Sequence, residues 1–405
     1  MRLAVVTPFI DRQHGTERAL AELLDRLSRE YGCEIHIYAE RVAGLAVTLS
    51  DTRTPRNTDQ SGSITWHRVP SLPGPHLFRF LFWILANTAI RWWHRLARSR
   101  RFDLVFSPGI NCLDADFIIV HAVFSRLREL ANEKSQQSFV PKTRSSTPRR
   151  LHRGAYYSLL ALLERIVYKN RKTRLAAVSH RTAELLNRRF GRKDVPVIFN
   201  GIDTVQFSVP ARLARRQGAR FRRKFSDDEL VLLLIGNDWR MKGLPAILES
   251  MPAAPDLPLR LLVAGSDIPA NFAGIVEHLK VGNRCVWEGP RPDVIDFYAA
   301  ADVYVSPSRE DSFGLPVAEA MACGLPVITS KFAGVSELIQ NERDGFVLPD
   351  PTNAAVLADI LRTLYTNPTA RTTLGNAAAV TAQTYTWDRN ASQIWQWLQS
   401  ANQKQ

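Results

Sequence analysis

EDSFGLPVAEAMACGLPVITS, residues 310–330, holds two acidic residues eight positions apart, with Phe-Gly-Leu-Pro between them. Residues 302–308 predict a buried strand, and residues 317–322 predict a short helix that ends at Gly324. Pro316 falls at the expected first helical position, where proline is well tolerated. The turn therefore joins the carboxyl end of a strand to the amino end of a helix, which is where open α/β sheets bind ligands.

Short apolar runs alternate with helical patterns on both sides of this stretch. Each run has the length and composition of a buried strand. Strands that alternate with helices predict parallel sheets covered on both faces. The runs occupy residues 2–7, 33–40, 102–109, 116–123, 175–181 and 195–203, then 229–237, 259–267, 286–290, 301–308, 325–330 and 345–349.

The pattern starts again in the second half of the chain, which predicts two doubly wound domains. We place them at residues 1–203 and 204–385, with a C-terminal helix over 386–405 that returns to the first domain. A chain of 405 residues is long enough for two such domains. The basic tract 212–229 separates the two patterns. Residues 132–150 are polar without periodicity, which predicts a mobile loop.

Composition indicates a globular protein. The chain is 45% hydrophobic and 23% charged, which excludes an intrinsically disordered class. Its four cysteines lack the spacing of zinc sites, so we expect free buried thiols in a reducing compartment. The first apolar run is too short for a secretory signal, and we expect no transmembrane helix.

Charge is unevenly distributed along the chain. Residues 1–224 carry a net charge of +22, and residues 225–405 carry −8. Residues 76–102 mix Arg with Phe, Trp and Leu, and residues 141–174 hold ten basic residues and one acid, Glu164. The first of these segments fits an interfacial helix that inserts aromatic side chains into a membrane. It equally fits an ordinary helix packed on the sheet with an exposed basic flank.

The basic excess predicts an anionic partner for the first half of the chain. An anionic membrane surface attracts Lys and Arg, and a phosphorylated glycolipid would feel the same field. Nucleic acid also suits a charge of this size. Because no nucleic-acid-binding module is evident in the sequence, we predict no nucleic-acid partner.

The two acids of the opening stretch suit a ligand that carries hydroxyl groups. A carboxylate has two acceptor oxygens and can take both hydroxyls of a diol. Asp311 in the turn can reach a sugar ring, and Glu319, two helical turns along, can reach a ribose. The helix start favours phosphate, and Gly314 lets a ligand approach the backbone closely. A hexose, phosphates and a ribose together describe a nucleotide sugar.

DSFGLPVAEAMACGLPV, residues 311–327, resembles the signature of the retaining family 4 glycosyltransferases of the GT-B fold. The resemblance implies an α/β protein of two doubly wound, Rossmann-like domains that face a central cleft. The family usually has Glu where this chain has Asp311, a difference that concerns the sugar contact. In this stretch the resemblance assigns donor binding to Asp311, Phe313, Gly314, Leu315 and Glu319.

Other segments extend the resemblance over most of the chain. LIGNDWRMKG, residues 234–243, resembles the diphosphate site of the family. Arg240 and Lys242 would neutralise the diphosphate there and help it to leave. Residues 286–308 resemble the strand and loop that bind the base, with Arg291 as the candidate side-chain contact.

The same resemblance assigns two residues of the first half to the site. Residues 11–23 resemble the glycine-containing loop before the first helix, which implies that the amide of Gly15 approaches the diphosphate. His121 matches a histidine near the donor sugar, although a lone His after an apolar strand also suits a core position. Asp114 and Asp116 form the D-x-D string that binds metal in a different glycosyltransferase fold, and we interpret them as strand-start polarity.

The resemblance implies a retaining, metal-independent hexosyltransferase with His121, Arg240, Lys242 and Asp311 as catalytic residues, no cofactor and no assigned nucleophile. The donor would be a nucleotide sugar, UDP-hexose in the first place. The acceptor would be an anionic glycan or glycolipid, such as lipopolysaccharide core. The protein would be cytoplasmic and bound peripherally to the inner face of the membrane.

Two other functional classes stay open. One is a sugar-nucleotide epimerase of similar two-domain build, and the other is a basic membrane- or nucleic-acid-binding protein without catalysis. A Rossmann dehydrogenase is disfavoured because no Gly-x-Gly-x-x-Gly follows the first strand.

Overall fold

The computed structural model describes residues 1–12, 14–49, 62–96, 102–134 and 147–402. This part of the chain divides into two compact units. Unit 1 contains the described residues up to Phe199 and those from Trp387 onward, and unit 2 is Asn200–Thr386.

Unit 1 is built on a parallel sheet. Its described strands are β1 (Arg2–Val6), β2 (Phe9–Ile10), β3 (Glu34–Ala39), β4 (Arg41–Val42), β5 (Thr48–Leu49), β6 (Ser63–Arg68), β7 (Leu104–Ser107), β8 (Phe117–Val120) and β9 (Arg174–Ala177). The helices before residue 200 are α1 (Gly15–Arg29), α2 (His76–Leu96), α3 (Phe124–Lys134), α4 (Thr147–Lys169) and α5 (His180–Phe190).

Seven of these strands form one sheet in the order β5-β6-β3-β1-β7-β8-β9, while β2 and β4 pair separately. The central strand β1 is parallel to both neighbours, with Leu3 opposite Ile35 on one side and Leu104 on the other. Residues 3–6 are buried because helices cover both faces of the sheet.

Unit 2 holds the second sheet. Its helices are α6 (Val209–Arg223), α7 (Leu244–Ala253), α8 (Ala273–His278), α9 (Ile295–Ala300), α10 (Leu315–Ala322), α11 (Ala354–Thr366) and α12 (Pro368–Ala382). Its strands are β10 (Leu230–Ile235), β11 (Leu259–Ala264), β12 (Cys285–Glu288), β13 (Val303–Ser306), β14 (Val327–Ser330) and β15 (Phe346–Leu348).

These six strands are parallel and lie in the order β12-β11-β10-β13-β14-β15. Leu232 in β10 is opposite Leu261 on one side and Val303 on the other. The predicted doubly wound α/β class is therefore confirmed in both units.

The chain then enters its last helix, α13 (Trp387–Asn402), which belongs to unit 1. The ring of Trp397 packs edge-on against Phe117 of β8, with 4.6 Å between the centroids. The Nε of Arg26 in α1 lies 2.6 Å from Oδ1 of Asp388.

The basic tract between the two sequence patterns is part of unit 2. Its arginines in α6 bind acids of that unit: Arg220 donates to Asp302 at 2.9 Å, and Arg223 donates to Glu288 at 2.6 Å. Asn200–Thr386 holds 18 Lys or Arg and 21 Asp or Glu, a net charge of −3. The remainder of the chain carries +17, so the basic excess stays with unit 1.

Two local predictions need correction. The strand predicted over residues 195–203 is reduced to two isolated bridges, one between Ala177 and Val197 and one between Ile202 and Thr386. Pro196 has no N–H to donate to a ladder, which limits pairing there. Of the mobile loop predicted over 132–150, residues 135–146 lie outside the described part of the chain, and the flanking residues are helical.

All four cysteines are free thiols, as expected: Cys33, Cys112 and Cys323 are buried, and Cys285 is half-buried. Among the helices that the structure describes, none has both the length and the apolar content needed to cross a bilayer.

Candidate functional site

The strand order of unit 2 marks one edge of its sheet as a ligand site. β10 lies between β11 and β13. The strands that follow β10 directly, β11 and β12, lie on one side of it, and the later strands β13, β14 and β15 lie on its other side. In open α/β sheets the crevice at such a reversal, at the carboxyl ends of the strands, is where ligands bind. The loop after β10 leads into α7, and a loop after β13 leads into α10. Both helices therefore start at this edge.

The loop after β10, residues 236–243, packs directly on the loop after β13. Gly243 caps α7 with a φ of 87°, and a Cβ there would lie 2.2 Å from the carbonyl oxygen of Pro307. The backbone N–H of Arg309 donates to the carbonyl of Met241 at 2.8 Å. A glycine is required at position 243 because any side chain would push the two loops apart.

The loop after β13 presents Asp311 and the start of α10. The backbone N–H of Asp311 donates to the carbonyl of Phe332 at 3.0 Å. Gly314 caps α10 in the left-handed region, with a φ of 97°, and both Phe313 and Leu315 are buried. These two side chains anchor the turn. Pro316 has no N–H and the N–H of Val317 donates to the carbonyl of Gly314 at 3.0 Å, so at the start of α10 the N–H of Leu315 is the one that lies at the edge of the sheet without an intrahelical acceptor.

Lys242 and Asp311, predicted from separate motifs, form an ion pair between Nζ and Oδ2. Their side chains are only 17% and 15% exposed. A partly buried pair interacts more strongly than a surface pair because water screens it less. The structure therefore brings the proposed diphosphate cation and the proposed sugar acid to one point between the starts of α7 and α10.

Glu319 lies in the second turn of α10 and is buried. Its Oε2 accepts a hydrogen bond of 2.7 Å from the hydroxyl of Tyr298 in α9. No motif in the sequence points to Tyr298. The hydrogen bond joins two residues that lie 21 positions apart, one in α9 and one in α10. Neither periodicity nor a motif indicates such a contact.

Arg240 lies beside an aromatic cluster in the same region. Its guanidinium is 5.6 Å from the ring centroid of Phe272, a cation–π distance. Phe272 in turn lies 6.0 Å from Trp239, a buried residue of the β10 loop. Within the described residues, Arg240 has no carboxylate at ion-pair distance, so its positive charge is available to an anionic ligand.

Arg291 lies apart from this group. It follows β12, which β11 separates from β10, so roughly 10 Å of sheet lies between the two strands. Its Nη2 is 2.8 Å from Oε2 of Glu288, whose other oxygen accepts from Arg223 at 2.6 Å. Arg291 is therefore half-exposed and already ion-paired.

Gly15 and His121 belong to unit 1. Gly15 is the first residue of α1, and the N–H of the preceding His14 donates to Asp11 at 3.0 Å. His121 directly follows β8, and burial lowers the pKa of its imidazole to about 4. The ring is therefore neutral at physiological pH.

Glu164, the single acid of the basic segment 141–174, has a structural partner close to His121. It is buried in α4, and its carboxylate accepts hydrogen bonds from the N–H groups of Phe124 and Ser125, the latter at 2.9 Å. The acid thus caps the start of α3, three residues after His121.

The D-x-D string has structural partners as well. Asp114 accepts two hydrogen bonds of 2.7 Å from the buried guanidinium of Arg91, and Asp116 accepts one of 2.8 Å from the N–H of Val105. Among the described residues, no group of three or more His, Cys, Asp or Glu side chains is arranged to hold a metal ion.

Two family models match the chain one after the other. The model described as Glycosyltransferase Family 4 matches residues 14–206, and the model described as Glycosyl transferases group 1 matches residues 216–381. One relative is a D-inositol 3-phosphate glycosyltransferase of Pseudarthrobacter chlorophenolicus, 32% identical over 229 residues. That match covers 54% of this chain and 53% of the relative, so the chain spans about half the length of the curated relatives it matches.

Solved structures share the whole architecture at low identity. WaaG, a glycosyltransferase involved in lipopolysaccharide biosynthesis, superposes with a TM-score of 0.76 at 19% identity, over 97% of this chain and 99% of its own. HepE of Anabaena, solved with UDP and glucose, reaches 0.68 at 17% identity over 98% and 99%. The two matched models, which together cover most of residues 14–381, show that the chain belongs to the family 4 glycosyltransferases, and the solved structures show that it has the GT-B fold.

Proposed function

We propose that the protein transfers a hexose from a nucleoside diphosphate sugar, UDP-hexose in the first place, to an anionic acceptor. One observation carries this proposal: Lys242 and Asp311 pair between the starts of α7 and α10 at the strand reversal of unit 2, and Glu319 lies in the second turn of α10. A helix start together with a cation suits a diphosphate, and carboxylates suit the hydroxyls of a ribose and a hexose.

Each residue has a proposed part in the reaction. Glu319 accepts the ribose hydroxyls, Asp311 accepts hydroxyls of the sugar, and Lys242 and Arg240 neutralise the diphosphate. Charge grows on the diphosphate as the bond to the anomeric carbon breaks. Fixed cations and backbone N–H groups lower the barrier because they stabilise that charge without reorganisation. Gly15 and His121 remain predicted donor contacts from unit 1, and Arg291 remains the predicted contact for the base.

We propose that the configuration of the sugar is retained and that no metal takes part. The acceptor hydroxyl attacks the anomeric carbon on the face from which the diphosphate departs. A phosphate oxygen of the leaving group takes the hydroxyl proton, so the products are the glycoside and the protonated diphosphate. Orientation of donor and acceptor supplies much of the rate in such a step.

The acceptor is proposed to be anionic because the chain outside unit 2 carries a net charge of +17. Two chemistries suit that field. The relatives named D-inositol 3-phosphate glycosyltransferases indicate a small phosphorylated polyol, and the likeness to WaaG indicates a glycolipid. The surface of α2 favours an acceptor that is held at a membrane.

α2 has two apolar faces. One packs on the sheet, with Trp83 and Ile84 buried. The other is exposed and repeats at helical spacings of three, four and seven residues. Its members, which we call the α2 stripe, are Phe78, Leu81, Leu85, Trp92 and Leu96.

The α2 stripe is the reason that we propose an anionic membrane as a partner. Trp92 and the adjacent Trp93 are 62% and 64% exposed. The neighbouring helix α4 adds exposed Leu162 and Ile166 beside the cation Arg165. Apolar side chains next to basic ones on a positively charged unit suit the interface of an anionic bilayer. In this proposal the protein binds peripherally to the inner face of the membrane.

Nucleotide binding and sugar transfer test the proposed activity. A thermal-shift panel of UDP-, GDP- and ADP-sugars identifies the donor, and release of the nucleoside diphosphate with and without acceptor measures turnover. Glu319→Ala should weaken donor binding by 10-fold or more, since a hydrogen bond to a charged group contributes roughly 1.5–3 kcal/mol. Glu277→Ala, a change of an exposed acid on α8, is the matched control and should bind normally.

Two outcomes would reject the proposal. Epimerisation of the sugar without any acceptor would indicate the epimerase class. Normal donor binding and turnover in a folded Glu319→Ala protein would remove the ribose assignment.

Lys242→Ala should depress turnover more than it lowers the melting temperature, because the lost charge acts on the leaving group.

A further inference from the structure

Tyr298 is held rigidly behind the start of α10. It lies in α9 and is fully buried. Its ring centroid is 5.6 Å from that of Phe207 and 6.2 Å from that of Tyr304. Close packing of this kind leaves the tyrosine a single side-chain conformation.

The hydroxyl of Tyr298 has two acceptors within reach but only one proton. Oε2 of Glu319 is 2.7 Å away, and the carbonyl oxygen of Pro316 is 3.2 Å away. The proton goes to the carboxylate, because a hydrogen bond to an ionised oxygen is shorter and stronger than one to a neutral carbonyl. Burial raises the pKa of Tyr298 well above its ordinary value, so the hydroxyl stays a donor throughout the physiological pH range.

We propose that Tyr298 is a positioning residue for nucleotide binding, which fixes the Glu319 carboxylate in the orientation that receives the ribose hydroxyls. The inference rests on the proposed function, since it assigns the ribose to Glu319. A glutamate has three rotatable side-chain bonds, and ordering them when the ligand arrives costs free energy. A rigid donor on one oxygen removes that cost in advance, which is the general advantage of a preorganised site.

The two buried tyrosines next to each other supply a matched pair of variants. Tyr298→Phe removes the hydroxyl that contacts Glu319. Tyr304→Phe removes a hydroxyl that donates to the backbone carbonyl of Ile235 at 3.2 Å. Both changes delete one oxygen from a fully buried ring, so their effects on packing are comparable.

Calorimetric titration with UDP and with 2′-deoxy-UDP separates an effect that acts through Glu319 and the ribose hydroxyls from a general structural effect. We expect Tyr298→Phe to weaken UDP about 5- to 20-fold and 2′-deoxy-UDP less than 3-fold, because the deoxy ligand already lacks one of the hydroxyls that Glu319 receives. Tyr304→Phe should change neither affinity by more than 2-fold. In the transfer assay Tyr298→Phe should raise KM for the donor and leave kcat within 2-fold, as expected when the lost interaction is equal in the ground and transition states.

Three results would overturn the inference. UDP affinity within 2-fold of wild type in a folded Tyr298→Phe protein would show that the hydroxyl does not position the acid. Equal losses for UDP and 2′-deoxy-UDP would show a general structural effect. A wild-type protein that binds none of UDP, GDP and ADP would reject the proposed function and this inference with it, so the two failures are distinguishable.

A second variant keeps the test valid if Tyr298→Phe does not fold. Phe207→Leu loosens the packing of the Tyr298 ring and leaves its hydroxyl in place. The inference requires that this variant, too, loses more affinity for UDP than for 2′-deoxy-UDP. An equal loss for both ligands would contradict it.

Discussion

Two residues of opposite charge, Lys242 and Asp311, determine how the candidate site meets an anion. Their ion pair is largely shielded from water, so the ammonium already has an anionic partner before any ligand binds. A phosphate that approaches Lys242 is attracted by the lysine and repelled by the aspartate. Replacing the carboxylate by an amide therefore removes a repulsion at the diphosphate and a hydrogen-bond acceptor at the sugar.

The first prediction follows from those opposed effects. Asp311→Asn should cut turnover of the nucleotide sugar by at least 10-fold while affinity for the free nucleoside diphosphate stays equal or rises. Parallel measurements of kcat/KM and of the Kd for UDP check this. Asp311→Glu keeps the charge, restores the residue usual in the family, and should retain most of the activity. A loss of UDP affinity as large as the loss of turnover would show that the roles of Asp311 and Glu319 are assigned wrongly.

His121 gives a prediction about pH. Its pKa is about 4 in the folded protein, below the ordinary value of about 6.5. Between these values the unfolded chain binds a proton that the folded chain does not, so the free energy of unfolding falls as pH drops from 6.5 towards 4. The loss for this one group is of the order of 1–3 kcal/mol.

Chemical denaturation at pH 7 and pH 5 measures this effect, with His121→Asn as the comparison. The variant should lose less stability between the two pH values than the wild type does. A wild type and a variant with the same dependence on pH would mean that the imidazole of His121 becomes protonated as easily in the folded protein as in the unfolded chain.

The sequence predicts best those site residues that lie close together in one motif. Asp311, Gly314 and Glu319 are close together in the chain, so strand, turn and helix geometry alone places them at one edge of the sheet. Lys242 lies 69 residues earlier, and only the family resemblance connected it to Asp311. Tyr298 was missed because its role depends on packing between α9 and α10, which leaves no periodic signal.

Among the elements, α7 and α10 share one construction: each begins with a glycine in the left-handed region, immediately after a strand loop. Gly243 is the more constrained of the two, because its Cβ position overlaps the carbonyl of Pro307. Gly243→Ala should lower the free energy of unfolding by about 2 kcal/mol or more, from the left-handed conformation and the overlap combined.

Gly274 in α8 provides the control for that substitution. A Cβ there meets nothing within 4 Å, and a helical glycine replaced by alanine gains roughly 0.4–1 kcal/mol. In thermal unfolding, Gly243→Ala should therefore have a lower melting temperature than the wild type, and Gly274→Ala a higher one. A Gly243→Ala protein as stable as the wild type would show that the two loops are not packed as described.

Elements were predicted well wherever an apolar run is buried on both faces. β10, β11 and β13 are such runs, whereas the order of the strands in the sheet was not predicted. β6 (Ser63–Arg68) was missed because polar residues interrupt its apolar ones. The residues of α6 fall in the predicted second domain, but the sequence did not reveal that its arginines are neutralised by acids some 65 to 86 residues further along the chain.

At the scale of the whole molecule, the two units differ in charge and in exposed apolar surface. Unit 2 has a net charge of −3 and holds the candidate nucleotide site. The rest of the chain has +17, and unit 1 carries the α2 stripe. The sequence of residues 76–102 fits both an interfacial helix and an ordinary packed helix. The structure shows that α2 packs on the sheet through one face and exposes apolar residues on another, and the interfacial description of the exposed face stays a prediction.

The last prediction concerns binding of that unit to membranes. Charge alone would give an association that salt abolishes, because the screening length is about 8 Å at physiological ionic strength. Inserted Trp and Leu side chains are not screened, so part of the binding should persist in high salt.

In vesicle flotation with anionic lipid, Trp92→Ala with Trp93→Ala should remove the salt-resistant part, and Arg165→Glu with Lys169→Glu should remove the salt-sensitive part. Phe221→Ala, a change of an exposed aromatic residue on unit 2, should leave both unchanged. A wild-type protein that does not float with anionic vesicles even at low salt would contradict the membrane proposal and favour a small phosphorylated acceptor free in solution.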